Sequence, residues 1–116
     1  MDEKILKWLY DIKLAIEEID SYFDHRERDF FLYKGNTMLK RAVERDLEII
    51  GVAVNRILTR DEKYITQISN ARAIIGLRNQ VIHAYDSISD EMIWSILTNH
   101  LPKLDREIAE LINRSN

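Results

Sequence analysis

The feature that most constrains this chain is an apolar period of three to four residues that runs almost from end to end. Ile5, Leu9, Ile12, Ile16, Ile19 and Phe23 keep one phase. So do Leu39, Val43, Ile50, Val54 and Ile57, and again Ile93, Leu97, Leu101, Leu104, Ile108 and Leu111. That spacing gathers side chains on one stripe of an α-helix and would scatter them over both faces of a strand. Three glycines and one proline in 116 residues leave few places to turn. No segment alternates as a strand does. The expected fold class is therefore all-α: an antiparallel bundle of four to five helices in a single domain, residues 1–116.

The first helix is expected from about Asp2 to Phe23. A charged stretch from His25 to Lys34 follows, with Phe30, Phe31 and Leu32 expected to tuck inward. Gly35-Asn36-Thr37 reads as a turn and N-cap, opening a helix from Thr37 to about Leu58. Gly51 lies inside that helix, at a cost of about 1 kcal/mol against alanine, and close approach of a neighbouring helix is a common reason. Thr59-Arg60-Asp61 is a short break. Ser69 or Asn70 caps a third main helix that reaches His83, and Tyr85-Asp86-Ser87-Ile88 leads out of it. Ser89 caps the last, with Asp90 and Glu91 in its first turn, where the dipole favours acids. Its stripe keeps phase across Pro102, so two collinear pieces or one kinked helix is expected.

There is no cysteine, so disulfides and thiolate metal sites are excluded. The start Met1-Asp2-Glu3-Lys4-Ile5 lacks the pattern of a signal peptide. No apolar run approaches the roughly 20 residues that span a bilayer. A cytoplasmic protein without a membrane partner is expected. Net charge is −3, against a general nucleic-acid binder, and DNA is not an expected partner. The charge is uneven, however. Residues 1–30 carry 5 Lys/Arg and 9 Asp/Glu, residues 31–85 carry 9 and 5, and residues 86–116 carry 3 and 6. A basic middle third can attract a polyanion locally, or can be no more than a solvated face.

Within that third lies the segment richest in chemistry, Arg78-Asn79-Gln80-Val81-Ile82-His83-Ala84-Tyr85. On a helical wheel of about 100° per residue with Ile74 at zero, the apolar stripe of this helix centres at about 20° and Arg78 falls at about 40°. An arginine on a core face is costly unless it is paired or faces a cleft or partner. Asp46, which interrupts an apolar face of the second main helix, is one candidate partner. Asn79 falls at about 140° and His83 at about 180°, one turn apart, so Asn79 can orient the His83 ring. Structural roles are also open: His83 at a helix C-terminus, and Tyr85 as a half-buried anchor.

Arginine and histidine without a metal motif suit phosphodiester chemistry in RNA. Neutral histidine takes the proton of a ribose 2′-hydroxyl as it attacks its own phosphate. Arginine holds the charge that grows on the phosphorane oxygens. A cyclic phosphate results, with no cofactor. One Arg–His pair leaves the departing 5′-oxygen without an acid, which a symmetric dimer can supply. His25 and His100 have no second histidine or carboxylate at ligand spacing, so no metal site is expected. The absence of a glycine-rich phosphate loop argues against nucleotide hydrolysis.

The spacing Arg-x4-His-x-Tyr at Arg78, His83 and Tyr85 resembles the signature of HepT-like toxins, a branch of the HEPN (higher eukaryotes and prokaryotes nucleotide-binding) domains. Asn79 after the arginine also fits the HEPN pattern. Residues 42–51, Ala-Val-Glu-Arg-Asp-Leu-Glu-Ile-Ile-Gly, look like the same branch, as do Ile93-Trp94 and Leu101-Pro102-Lys103-Leu104. Family members often continue Gly-Glu-Ala where this chain has Gly51-Val52-Ala53. The resemblance implies a homodimeric, metal-independent endoribonuclease, the toxin of a type VII toxin–antitoxin pair. Arg78 and His83 would be catalytic, with Asn79 in support. It further implies a nucleotidyltransferase antitoxin that attaches AMP to Tyr85. A different class also fits: a non-catalytic helical module, or a degenerate HEPN protein, that binds a nucleotidyltransferase or a nucleotide.

Overall fold

A computed structural model of the chain describes residues 1–24, 29–83 and 89–115; residues 25–28, 84–88 and 116 lie outside it, as do the side chains at 78, 80–83 and 115. Helix α1 spans Glu3–Tyr22 and α2 spans Phe30–Lys34. Helix α3 spans Thr37–Arg60, followed by a 3₁₀ turn over Glu62–Thr66. Helix α4 spans Ala71–His83 and α5 spans Asp90–Ser95. A π turn over Ile96–His100 leads into α6, Leu101–Ser115. Among the described residues there is no strand.

Caps define these boundaries. The Asp2 carboxylate accepts from the Lys4 and Ile5 N–H groups, and Asn36 accepts from Leu39 N–H at 3.0 Å. Ser89 accepts from Met92 N–H at 3.1 Å, with Asp90 and Glu91 in the first turn, as the sequence predicts. The start of α4 falls directly after Asn70, one of the two positions the sequence offers. The Ser69 hydroxyl donates to Glu107 of α6 at 2.6 Å. Asn70 takes the position before the helix, its carbonyl accepting from Ile74 N–H, in left-handed backbone with φ 62°. Asparagine tolerates that region better than most residues.

Cross-helix bonds fix the up-and-down order. Arg60 Nε donates to Asp2 at 2.8 Å, joining the end of α3 to the start of α1. Tyr22 donates to Asp46 at 2.7 Å toward the other end, so α1 and α3 are antiparallel. Lys40 Nζ meets Asp90 at 3.2 Å, and the Ser69–Glu107 bond lies at the opposite end. So α4 rises beside the descending α5–α6. The bundle is built by packing of α1 on α3, α3 on α4 and α1 on α6. Every residue of the three predicted stripes is buried. Gly51 is buried within α3.

Two details correct the sequence expectation. Phe31 and Leu32 are 81% and 54% exposed rather than tucked inward. The stretch forms a five-residue helix, on which positions three apart share a face, so Phe30 and Tyr33 turn inward together. Tyr33 is fully buried and its ring lies 5.5 Å from that of Trp94, with Phe23 and Phe30 also against the indole. Its hydroxyl has no hydrogen-bond partner among the described residues. The second detail is at Pro102. The last element forms two pieces, α5 and α6, one of the two expected forms, and they are joined by a π turn just ahead of Pro102 rather than by a kink at it. Proline has no N–H to donate back one turn, and Thr98 Oγ1 donates to the Trp94 carbonyl at 2.9 Å.

Candidate functional site

Ala71, Ile74 and Leu77 are buried along α4 and anchor it to the core. The helix is continuous to His83, the end the sequence predicts. Arg78 and His83 therefore occupy one helix five positions apart, a rise of about 7.5 Å. Arg78 directly follows buried Leu77, and His83 sits in the last turn. The side chains of Arg78 and His83, and the whole of Tyr85, lie outside the described residues, so the expected clamp, proton carrier and AMP acceptor enter here by chain position alone. Asn79 is exposed.

Asn79 lines a cavity beside α4 with a volume of about 710 Å³. Helix α3 contributes Asn55, Leu58 and Thr59. The 3₁₀ turn contributes Glu62 and Ile65, and α4 contributes Arg72, Ile75, Gly76 and Asn79. The lining combines aliphatic and polar side chains. Arg72 is exposed and makes no ion pair among the described residues. On the same helical wheel it falls at about 160°, between Asn79 and His83. Sequence reasoning missed Arg72 and Glu62. The wheel could have found Arg72. Glu62 arrives from another element and leaves no trace in the α4 pattern.

A second depression of about 360 Å³ flanks α4 on its other side, lined by Ala73, Gly76, Leu77, Met92, Ser95 and Ile96. Gly76 borders both, and a Cβ built there would meet nothing within 4 Å. Val52, where the HepT-like pattern often has glutamate, lies elsewhere. It lines a depression of about 260 Å³ with Trp8, Arg45 and Arg56.

Asp46 is 2% exposed, the buried charged residue of the core. The sequence offers it as a partner for Arg78; its described partner is the Tyr22 hydroxyl. Burial pushes the Asp46 carboxyl up to about 6, and the neighbouring Glu18 adds to the rise, while the Tyr22 hydrogen bond opposes it. Tyr22 is pushed up to about 12, by burial first and then by the bond to Asp46. Among the described residues, no group of three His, Asp or Glu converges as metal ligands would, and no helix is long and apolar enough to cross a membrane.

Comparison with known proteins gives this helix its context. The family model described as "Ribonuclease HepT-like" matches residues 12–111, which include all of α4. The chain is 34% identical over 107 residues to "Putative RNase MJ0127" of Methanocaldococcus jannaschii, covering 90% of this chain and 84% of that one. It is 31% identical over 101 residues to "Putative RNase MJ1380" of the same organism, covering 87% and 90%. A relative from Caldanaerobacter subterraneus, "Putative RNase TTE0752", is 29% identical over 77 residues, 66% of this chain and 68% of that one. No solved structure matches the chain. A match spanning nearly the whole bundle, with the Arg-x4-His spacing on its fourth helix, makes the chain a member of the HepT-like ribonuclease family.

Proposed function

We propose that this protein is a metal-independent endoribonuclease that uses Arg78 and His83, and that it acts as the toxin of a type VII toxin–antitoxin pair. The observation that carries the reading is α4 itself. It is an unbroken helix that presents the motif arginine and histidine at fixed spacing, inside the region matched to a ribonuclease family. The chemistry follows from the residue types. His83 takes the proton of the ribose 2′-hydroxyl; the 2′-oxygen bonds to phosphorus, and the bond to the 5′-oxygen breaks. Arg78 binds the phosphate oxygens bidentately as their charge grows. Asn79, one turn before His83, orients the imidazole.

The leaving 5′-oxygen needs a proton. In a symmetric homodimer across α4, the same histidine of the second copy donates it. The phase of Arg78 beside the α4 core stripe supports a cleft between copies. Tyr85 is the modification acceptor. AMP joined to its hydroxyl by a nucleotidyltransferase antitoxin sets a phosphate beside Arg78 and His83, and RNA is excluded. The test is direct. Purified protein cleaves RNA in the presence of EDTA, and His83→Ala abolishes cleavage. Retained cleavage in that variant removes His83 from the mechanism.

A further inference from the structure

We infer that the large groove beside Asn79 holds the nucleotide that flanks the scissile phosphate, with Arg72 on its phosphate and Glu62 reading an amino-bearing base. The inference rests on the ribonuclease reading of α4 and adds residues outside the motif. Arg72, Asn79 and His83 lie on one flank of α4, so a strand whose scissile phosphate sits at the motif can continue along that flank. Arg72 precedes His83 by eleven positions, a rise of about 16 Å, the reach of a short run of single strand.

The lining divides by chemistry. Leu58, Ile65 and Ile75 give the lining aliphatic surface on which a base can lie. Arg72 is exposed and without an ion pair among the described residues, so its guanidinium is available to a phosphate at no cost in broken pairs. Glu62 is acidic and cannot favour a phosphate; its carboxylate accepts only. It therefore selects a base edge that donates, such as the exocyclic amino group of cytosine, adenine or guanine, and disfavours uracil O4. Asn55 also lines the groove, with both a donor and an acceptor.

Other surfaces carry less. The depression beside Val52 mixes Arg45 and Arg56 with Asp11 and Glu48, which gives no sign of ligand charge. The face at Ala73 and Gly76 is a small-residue stripe with nothing to name its occupant.

The experiment measures binding of uncleavable 2′-O-methyl RNA oligonucleotides of each base composition by fluorescence anisotropy, across a salt series. Wild type, Arg72→Gln, Glu62→Gln and the distant control Lys7→Gln are compared, with molar mass followed by light scattering. Arg72→Gln is expected to weaken binding about tenfold and to lower the salt slope by about one. Glu62→Gln is expected to narrow the preference against uridine, and Lys7→Gln to match wild type. Unchanged affinity and slope in Arg72→Gln overturn the phosphate contact, and an unchanged base preference in Glu62→Gln overturns the base reading. A change in molar mass without a change in RNA affinity gives the groove to a second copy and overturns the inference. If wild type binds in an Arg72-dependent way yet never cleaves natural RNA, the groove stands and the ribonuclease reading fails.

Discussion

Replacing Asp46 with asparagine separates the buried acid's charge from its hydrogen bond. Asp46 is 2% exposed, accepts from Tyr22 at 2.7 Å, and has its carboxyl pushed from 3.8 up to about 6. An acid raised in the folded state favours folding while it is protonated. Its contribution is full below about pH 4, where the carboxyl is protonated both folded and unfolded. As pH rises toward 6 the unfolded chain ionises first and stability falls. At about 1.4 kcal/mol per pH unit, the loss approaches about 3 kcal/mol by neutral pH. Asparagine keeps a carbonyl for Tyr22 and cannot ionise. Asp46→Asn should therefore equal wild type near pH 4 and exceed it by up to about 3 kcal/mol near pH 7. Urea unfolding followed by far-UV circular dichroism across that range measures the difference; titrating groups away from Asp46 cancel between the two chains, while its neighbour Glu18 contributes to the difference. A constant difference, or a variant weaker at pH 7 than at pH 4, refutes the reasoning and means that the ionised carboxylate is the form the fold stabilises.

Further perturbations test other parts of the structure. Tyr33→Phe removes a buried hydroxyl without a partner among the described residues while keeping the ring against Trp94, and should raise stability by about 1 kcal/mol in the same assay. Gly76→Ala adds a methyl into open space on an exposed helix position and should raise the melting temperature, by a stability gain of about 1 kcal/mol. Asp2→Ala removes the cap of α1 and the bond to Arg60; a lower midpoint is expected in urea titration. The Arg60 hydrogen bond, first among its causes, holds the Asp2 carboxyl below the usual range, so the difference from wild type should shrink as pH falls through that lowered value.

The bundle is legible because burial repeats at helical spacing. Stripes from Ile5 to Phe23, Leu39 to Ile57 and Ile93 to Leu111 are buried as their period predicts. Expectation fails where an element is shorter than the period that reveals it. Five residues of α2 give no stripe, so the sequence points to Phe31 and Leu32 where the fold buries Tyr33. The π turn lies where Pro102 offers no N–H to the preceding turn and Thr98 Oγ1 donates to the Trp94 carbonyl, which apolar spacing does not encode. At the site, Arg78, Asn79 and His83 stand out because they crowd one helix. Glu62 and Asn55 reach the groove from a 3₁₀ turn and from α3, a meeting that only the tertiary fold creates. Likewise Asp46 is visibly out of place in its stripe, but its described partner, Tyr22, lies 24 residues away on α1.

The central claim is that Arg78 and His83 drive attack by the RNA's own 2′-hydroxyl. The most direct measurement is mass spectrometry of the ends produced when the purified protein digests a defined RNA in EDTA. Wild type should give 2′,3′-cyclic phosphate and 5′-hydroxyl ends, and His83→Ala and Arg78→Ala should leave the RNA intact. Ends bearing a 5′-phosphate, or cyclic ends that persist when His83 is gone, would contradict the claim.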